Sequence, residues 1–230
     1  MKRFYREASV RPAEGGEEVL LDERPVKTPA RRPLALPTPA LAAAVAAEWN
    51  AQGDDVLPRT MPLTGLANAA IDRVAPEQET FAAGLAAYGD SDLLCYRADG
   101  PASLVERQTA LWDPILAWAR RRYDVDFEVV TGIIHRPQPP ATLARLAHAV
   151  AVRDSFELSA LAPLVTISGS LLIALMLAEE AIGFDGAWAA ATLDEAWQTE
   201  HWGEDFEAAA RLAARRAEFE AAHRFLQLLR

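Results

Sequence analysis

The 230-residue chain carries 33 Asp and Glu against 23 Lys and Arg, a formal charge of −10. That imbalance repels phosphate and excludes nucleic acid and anionic membrane as general partners, while leaving room for a local basic patch. The single cysteine, Cys95, excludes an intramolecular disulfide and fits a reducing compartment, and the length suffices for one large domain or two small ones.

Extended segments at 4–10 and 19–28 flank Glu14-Gly15-Gly16, a turn signal, and Pro25, Pro29, Pro33, Pro37 and Pro39 keep helix out of most of the first 40 residues. The start, Met1-Lys2-Arg3-Phe4-Tyr5, is basic without an apolar stretch behind it, and no Arg/Ser-rich amphipathic presequence follows, so a cytoplasmic location is expected. Thr38 is an N-cap with Pro39 at the first helical position; an alanine-rich helix runs from there through Trp49 and stops by Gly53. From Pro62 onward the pattern predicts helices at about 64–74, 77–88, 102–123, 141–153, 157–181, 187–201 and 204–229, the 102–123 helix bending at Pro114. Residues 127–134, rich in Val, Ile and Phe, are the one late strand, either extending the N-terminal sheet or forming an isolated hairpin edge.

The apolar run 161–178 approaches membrane-spanning length, yet it holds Pro163, Thr166, Ser168, Gly169 and Ser170 and ends at Glu179-Glu180. It reads as the buried central helix of a bundle, and no membrane insertion is expected. In the last helix Leu212, Phe219 and Leu226 repeat at seven-residue spacing, with Glu204, Asp205 and Glu207 at the N-terminal turn where they complement the helix dipole. The expected fold class is α+β: a small β-rich N-terminal domain at 1–60, then a larger, mostly α-helical C-terminal domain at 61–230.

The sequence holds no Gly-x-x-x-x-Gly-Lys-Ser/Thr loop and no Gly-x-Gly-x-x-Gly, so a nucleotide has no recognisable cradle and no cofactor is expected. His135, His148, His201 and His223 lack metal-ligand spacing and read as surface or satisfied polar residues, leaving no metal site. Cys95 lies within Leu93-Leu94-Cys95-Tyr96 and reads as a small buried hydrophobe. Ser168-Gly169-Ser170 lacks a nucleophile elbow and reads as packing; Asp90, Asp92 and Asp99 read as caps and turns; Arg120-Arg121-Arg122 reads as a solvated helix end and Arg215-Arg216 as a solvated face. No catalytic residue is assigned.

The segment 193–205 is different, because Trp197 and Trp202 share a predicted helix with Asp194, Glu195, Glu200, Glu204 and Asp205 and no triad or ligand spacing. Glu195, Gln198 and Trp202 stand at i, i+3 and i+7 and project along one face, so a carboxylate, an amide and an indole form a surface suited to protein contact. Glu204 and Asp205 would add an acidic rim able to steer a basic patch on a partner. The competing reading places Trp188, Trp197 and Trp202 in the core and the acids on a solvated flank.

Glu195-x-x-Gln198-x-x-x-Trp202-Gly203 resembles the C-terminal signature of the assembly chaperones that hold the α subunit of the F-type ATP synthase catalytic head before it meets β. Asp22-Glu23-Arg24-Pro25-Val26-Lys27-Thr28-Pro29 is similar to that family's Asp-Gly-Arg-Pro-x-Lys-Thr-Pro segment, and Asp92-Leu93-Leu94-Cys95-Tyr96-Arg97 matches its mid-chain run. Met61-Pro62-Leu63-Thr64, the residues Ala69, Ile71 and Asp72, and Leu164 with Ser168-Gly169-Ser170 match in the same order. Glu23 stands where the family usually has Gly, which puts a positive-φ turn there in doubt. The resemblance implies a non-enzymatic chaperone that occupies the β-facing surface of free α until exchange. Its partner-binding residues would be Glu195, Gln198, Trp202, Glu204 and Asp205, with Arg24 and Lys27 either contacting the client or shaping the N-terminal domain. A hydrolase using Asp92 and Glu195 as an acid/base pair, or a protein associating with itself through the Trp-rich helix, stays open beside it, and the oligomeric state is not fixed by the sequence.

Overall fold

A computed structural model describes residues 1–203 and 205–230. The chain forms two compact units, Met1–Gln78 with Asp154–Ala160 and Ala221–Arg230, and Glu79–Arg153 with Leu161–Glu220. The first unit therefore reaches past the residue-60 boundary expected from composition.

In the first unit β1 (Ala8–Ala13) and β2 (Gly16–Leu21) form an antiparallel hairpin, Ala13 opposite Gly16. Gly16 has φ +138°, and a Cβ there would lie 2.3 Å from the Leu36 carbonyl oxygen, so no other residue fits without moving a neighbouring strand. β2 pairs with β3 (Arg24–Pro25) at its C-terminal end and β4 (Ala35–Leu36) at its N-terminal end. The first strand is thus displaced four residues from the expected 4–10, and 19–28 divides into the end of β2, a two-residue turn and β3. Positive φ in that turn falls on Asp22 (+55°), whose carboxylate accepts the Arg6 and Glu7 amides; Glu23 is spared the conformation that glycine would supply.

Helix α1 (Pro39–Asn50) begins as expected, Thr38 accepting the Leu41 amide with Pro39 at N1. At its far end Asn50 bonds both the amide and carbonyl of Ala8, fixing the helix to the outer strand. Glu48 accepts the Leu63 and Thr64 amides, each at 2.8 Å, and the Thr64 hydroxyl at 2.7 Å, thereby capping α2 (Pro62–Ala69). A π-helical turn follows over Ala70–Val74, and its Asp72 accepts the Thr28 hydroxyl and the Ala30 amide. These two carboxylates make 61–78 part of the N-terminal unit, a tie that composition does not show.

The second unit is helical, with α3 (Gln78–Ala86) at its start, the two-residue strand β5 (Tyr96–Arg97) and α4 (Ala102–Tyr123). Helix α4 has the expected bounds and continues through Pro114. The expected strand 127–134 shrinks to β6 (Val130–Thr131), which pairs parallel with β5 and joins neither the N-terminal sheet nor a hairpin. Gln138 explains much of this: its side chain accepts the Glu128 amide and donates to the Glu128 carbonyl, replacing a ladder partner.

Helices α5 (Pro140–Ala151), α6 (Ser155–Ser168) and α7 (Leu171–Ala178) follow. The continuous helix expected at 157–181 is two helices, because Gly169 turns left-handed at φ +67° and Ser170 caps α7 by accepting the Ile173 amide. Most of the run 161–178 is buried as expected, Leu171 to Leu175 almost completely. No helix among the described residues is long and apolar enough to cross a membrane. Likewise 187–201 resolves into α8 (Phe184–Ala191) and α9 (Leu193–Trp202), separated at Thr192, before α10 (Phe206–Leu228). Trp112 of α4 donates to the Ala190 carbonyl at 2.9 Å, and Gln108 donates to Asp194, so α4 sets the position of the α8–α9 corner.

Candidate partner-binding site

Helix α9 is amphipathic in a simple way. Leu193 and Trp197 are buried, four residues apart, while Glu195, Gln198 and Trp202 lie on the exposed side. The tryptophans divide accordingly: Trp188 and Trp197 belong to the core and Trp202 is 74 % exposed, so neither sequence reading holds for all three. His201 stacks on Trp197 at 3.9 Å between ring centroids, and Trp202 meets Trp197 edge-on at 5.6 Å. The buried indole thus supports the exposed one from below.

Gly203, at φ +90°, ends α9 and allows the chain to reverse into α10. Between the two helices lies a groove of about 700 Å³. Glu195, Gln198 and Trp202 line one wall, Ala209, Leu212 and Arg215 the other, and Asp205 stands near the reversal. Three residues chosen from their i, i+3, i+7 spacing therefore share one concave surface. Asp205 has a second role, its carboxylate accepting the Glu207 amide at 2.9 Å and its carbonyl the Ala209 amide, which caps α10. Glu204 lies outside the described residues. Next to the groove Phe206 is 87 % exposed, which places a second large apolar side chain near Trp202 in sequence and at the surface.

Glu195 is not a free carboxylate. Arg215 donates to its Oε1 at 2.6 Å, and the second arm of the same guanidinium donates to the Ile167 carbonyl at 3.0 Å. The expectation that Arg215 belongs to a solvated face is corrected here: the residue bridges α9 to the end of α6. A cation on a helix face looks solvated when its partner lies 20 residues away, and only the fold reveals the pair.

Arg24 and Lys27 are exposed residues of the N-terminal unit, Arg24 in β3 opposite Leu21 and Lys27 bridged to Pro33; neither lines the groove. Neighbouring Thr28 is buried against Asp72, so this matching segment is at least partly occupied by shaping its own loop.

The acid/base alternative does not assemble. Asp92 is fully buried, and its carboxylate accepts the amides of Leu94 and Leu172, capping two helical segments as its sequence context suggested. Burial pushes its carboxyl up to about 6, and it does not line the groove that holds Glu195. Cys95 is buried as well, its thiol pushed up to about 12 by burial and by the Asp92 charge, which suits a packing residue. Among the described residues no three His, Cys, Asp or Glu side chains are grouped to hold a metal ion.

The family model of the ATP12 chaperone protein matches residues 2–120. The chain is 44 % identical to Atp12 from Paracoccus denitrificans, whose crystal structure superposes with a TM-score of 0.95 over all of this chain and 98 % of that one. The Atu1473 protein of Agrobacterium tumefaciens is 41 % identical with a TM-score of 0.95, over all of this chain and 86 % of that one. The mitochondrial protein atp12 of Schizosaccharomyces pombe is 25 % identical over 214 residues, 88 % of this chain and 74 % of the yeast protein.

Proposed function

The chain belongs to the ATP12 chaperone family, and from that premise we propose that it is an assembly factor of the F-type ATP synthase, binding the free α subunit and shielding its β-facing surface until the subunits join. A subunit surface that waits for its partner is an exposed apolar patch and an aggregation hazard, and a chaperone that covers it reversibly removes the hazard. The cytoplasmic location expected from the sequence does not extend to the family, since the fission-yeast relative is named mitochondrial.

One observation supports placing the contact at the α9–α10 groove. Much of the other stretches that carry the family resemblance is engaged inside the protein, Thr28 with Asp72, Leu63 and Thr64 with Glu48, and Asp92 and Leu93 with Leu172 and Gly169, although Arg24 and Lys27 are exposed. Glu195, Gln198 and Trp202 instead line an open groove with their side chains exposed. Side chains that stay at the surface, even where one is held by a neighbour as Glu195 is by Arg215, remain able to meet a partner. Trp202 is the apolar anchor, Gln198 an adaptable donor and acceptor, and Glu195 a charged contact held in place.

Co-purification of purified α subunit with wild type, Trp202→Ala and Glu195→Lys tests this reading. Wild type should retain α, and each variant should retain much less while keeping its helical content. Wild-type retention by both variants would remove the groove from the account, and a folded wild type that fails to retain α would remove the client. Light scattering of the free chain separates self-association: Trp202-dependent dimers that disappear on adding α fit a shared surface, whereas dimers unaffected by α favour a self-associating protein.

A further inference from the structure

We propose, resting on the reading above, that Arg215 is a positioning residue of the partner-binding groove: it fixes Glu195 in the orientation the client meets. The guanidinium is held at two points. One arm donates to Glu195 Oε1 at 2.6 Å and the other to the Ile167 carbonyl at 3.0 Å. Ile167 lies in the last turn of α6, where carbonyls have lost their helical partners because the chain turns at Gly169. Arg215 therefore satisfies a helix end and a carboxylate together, and the planar fork is suited to holding both.

The neighbouring cations are tethered differently. Arg211 reaches Glu207 one turn away on its own helix at 3.6 Å, and Arg216 reaches Asp185 at 3.3 Å, an acid whose side chain is 91 % exposed. Neither holds a residue of the α9 wall. Arg215 thus orders a glutamate side chain that would otherwise sample many rotamers, and the ordering cost is met before the client arrives. It also leaves Glu195 Oε2, which has no partner among the described residues, as the acceptor for an N–H or O–H donor on the client.

The test is calorimetric titration of purified α subunit into wild type, Arg215→Ala, Arg215→Lys, Glu195→Gln and the double variant Glu195→Gln/Arg215→Lys, with thermal melts of each. Given wild-type binding, both Arg215 variants should bind about tenfold more weakly, because an ordering cost moves to the binding step and an ammonium cannot hold both acceptors as a fork. The double variant should bind no more weakly than Glu195→Gln alone, since the carboxylate that Arg215 positions for the client is gone. Wild-type affinity in the folded Arg215→Lys protein would overturn the proposal. So would single-variant losses that multiply in the double variant, which would make Arg215 a direct contact. If Arg215→Ala does not fold, Arg215→Lys decides by the same criteria. A folded wild type without affinity for α fails at the earlier step and identifies the client assignment, not Arg215, as the error.

Discussion

Replacing Trp202 and Trp197 separately by alanine divides the contact surface from its support. Trp202 is 74 % exposed, so about a quarter of its surface is buried. A quarter of roughly 250 Å² at about 25 cal/mol per Å² gives about 1.5 kcal/mol as the upper limit of its contribution to folding. Trp197 is 6 % exposed and carries His201 and Trp202 against its ring, and removing a core indole costs about 3–5 kcal/mol. Its Nε1 proton is buried with no hydrogen-bond partner among the described residues, a cost that alanine relieves, so a value near 3 kcal/mol is expected. Urea denaturation followed by far-UV circular dichroism measures both. Trp202→Ala should unfold within about 1.5 kcal/mol of wild type and lose client binding, whereas Trp197→Ala should lose about twice that stability. A loss above about 3 kcal/mol in Trp202→Ala would show that its indole is a folding residue and refute its assignment as an exposed anchor.

Other outcomes follow from the same structure. Glu195→Lys places like charges beside Arg215 and removes an ion pair between half-exposed side chains, so stability should fall by about 1 kcal/mol or less while client binding falls much further. Asp92 is raised from 3.8 to about 6 by burial, so its contribution to stability is fully present below pH 3.8 and is lost as pH rises through 6. The stability of wild type relative to Asp92→Asn should therefore decline between pH 4 and pH 7.5 by an amount of order 3 kcal/mol, and a difference independent of pH would contradict the burial assigned to this carboxylate. Gly169→Ala meets nothing closer than the Leu93 Cβ at 3.9 Å, yet it must adopt φ +67°; urea midpoints should register about 1–2 kcal/mol of strain without loss of fold.

The sequence made some elements plain and concealed others for physical reasons. Thr38 with Pro39 announces α1 because capping is a local contract between a side chain and the amides that follow it. The bounds of α4 were equally legible. In the run 161–178 apolar residues stand on every side of the helix, so periodicity carries no phase and the break at Gly169 is hidden until Ser170 is seen capping α7. Residues 127–134 have strand composition, but the Gln138 side chain takes the hydrogen bonds of Glu128 and pairing is confined to two residues. At the groove, Glu195, Gln198 and Trp202 could be chosen because helical spacing fixes which residues share a face. Arg215 could not, because its partners on α9 and at the end of α6 are brought to it only by tertiary packing.

On the proposed function, this chain occupies on α the surface that β later covers. Its most direct test is to form the complex of this chain with purified α, add purified β, and follow the species by size-exclusion chromatography with light scattering. β should join α as the chaperone is released, in proportion to one another. A stable particle containing α, β and this chain together would place the contact elsewhere on α and rule out shielding of the β-facing surface.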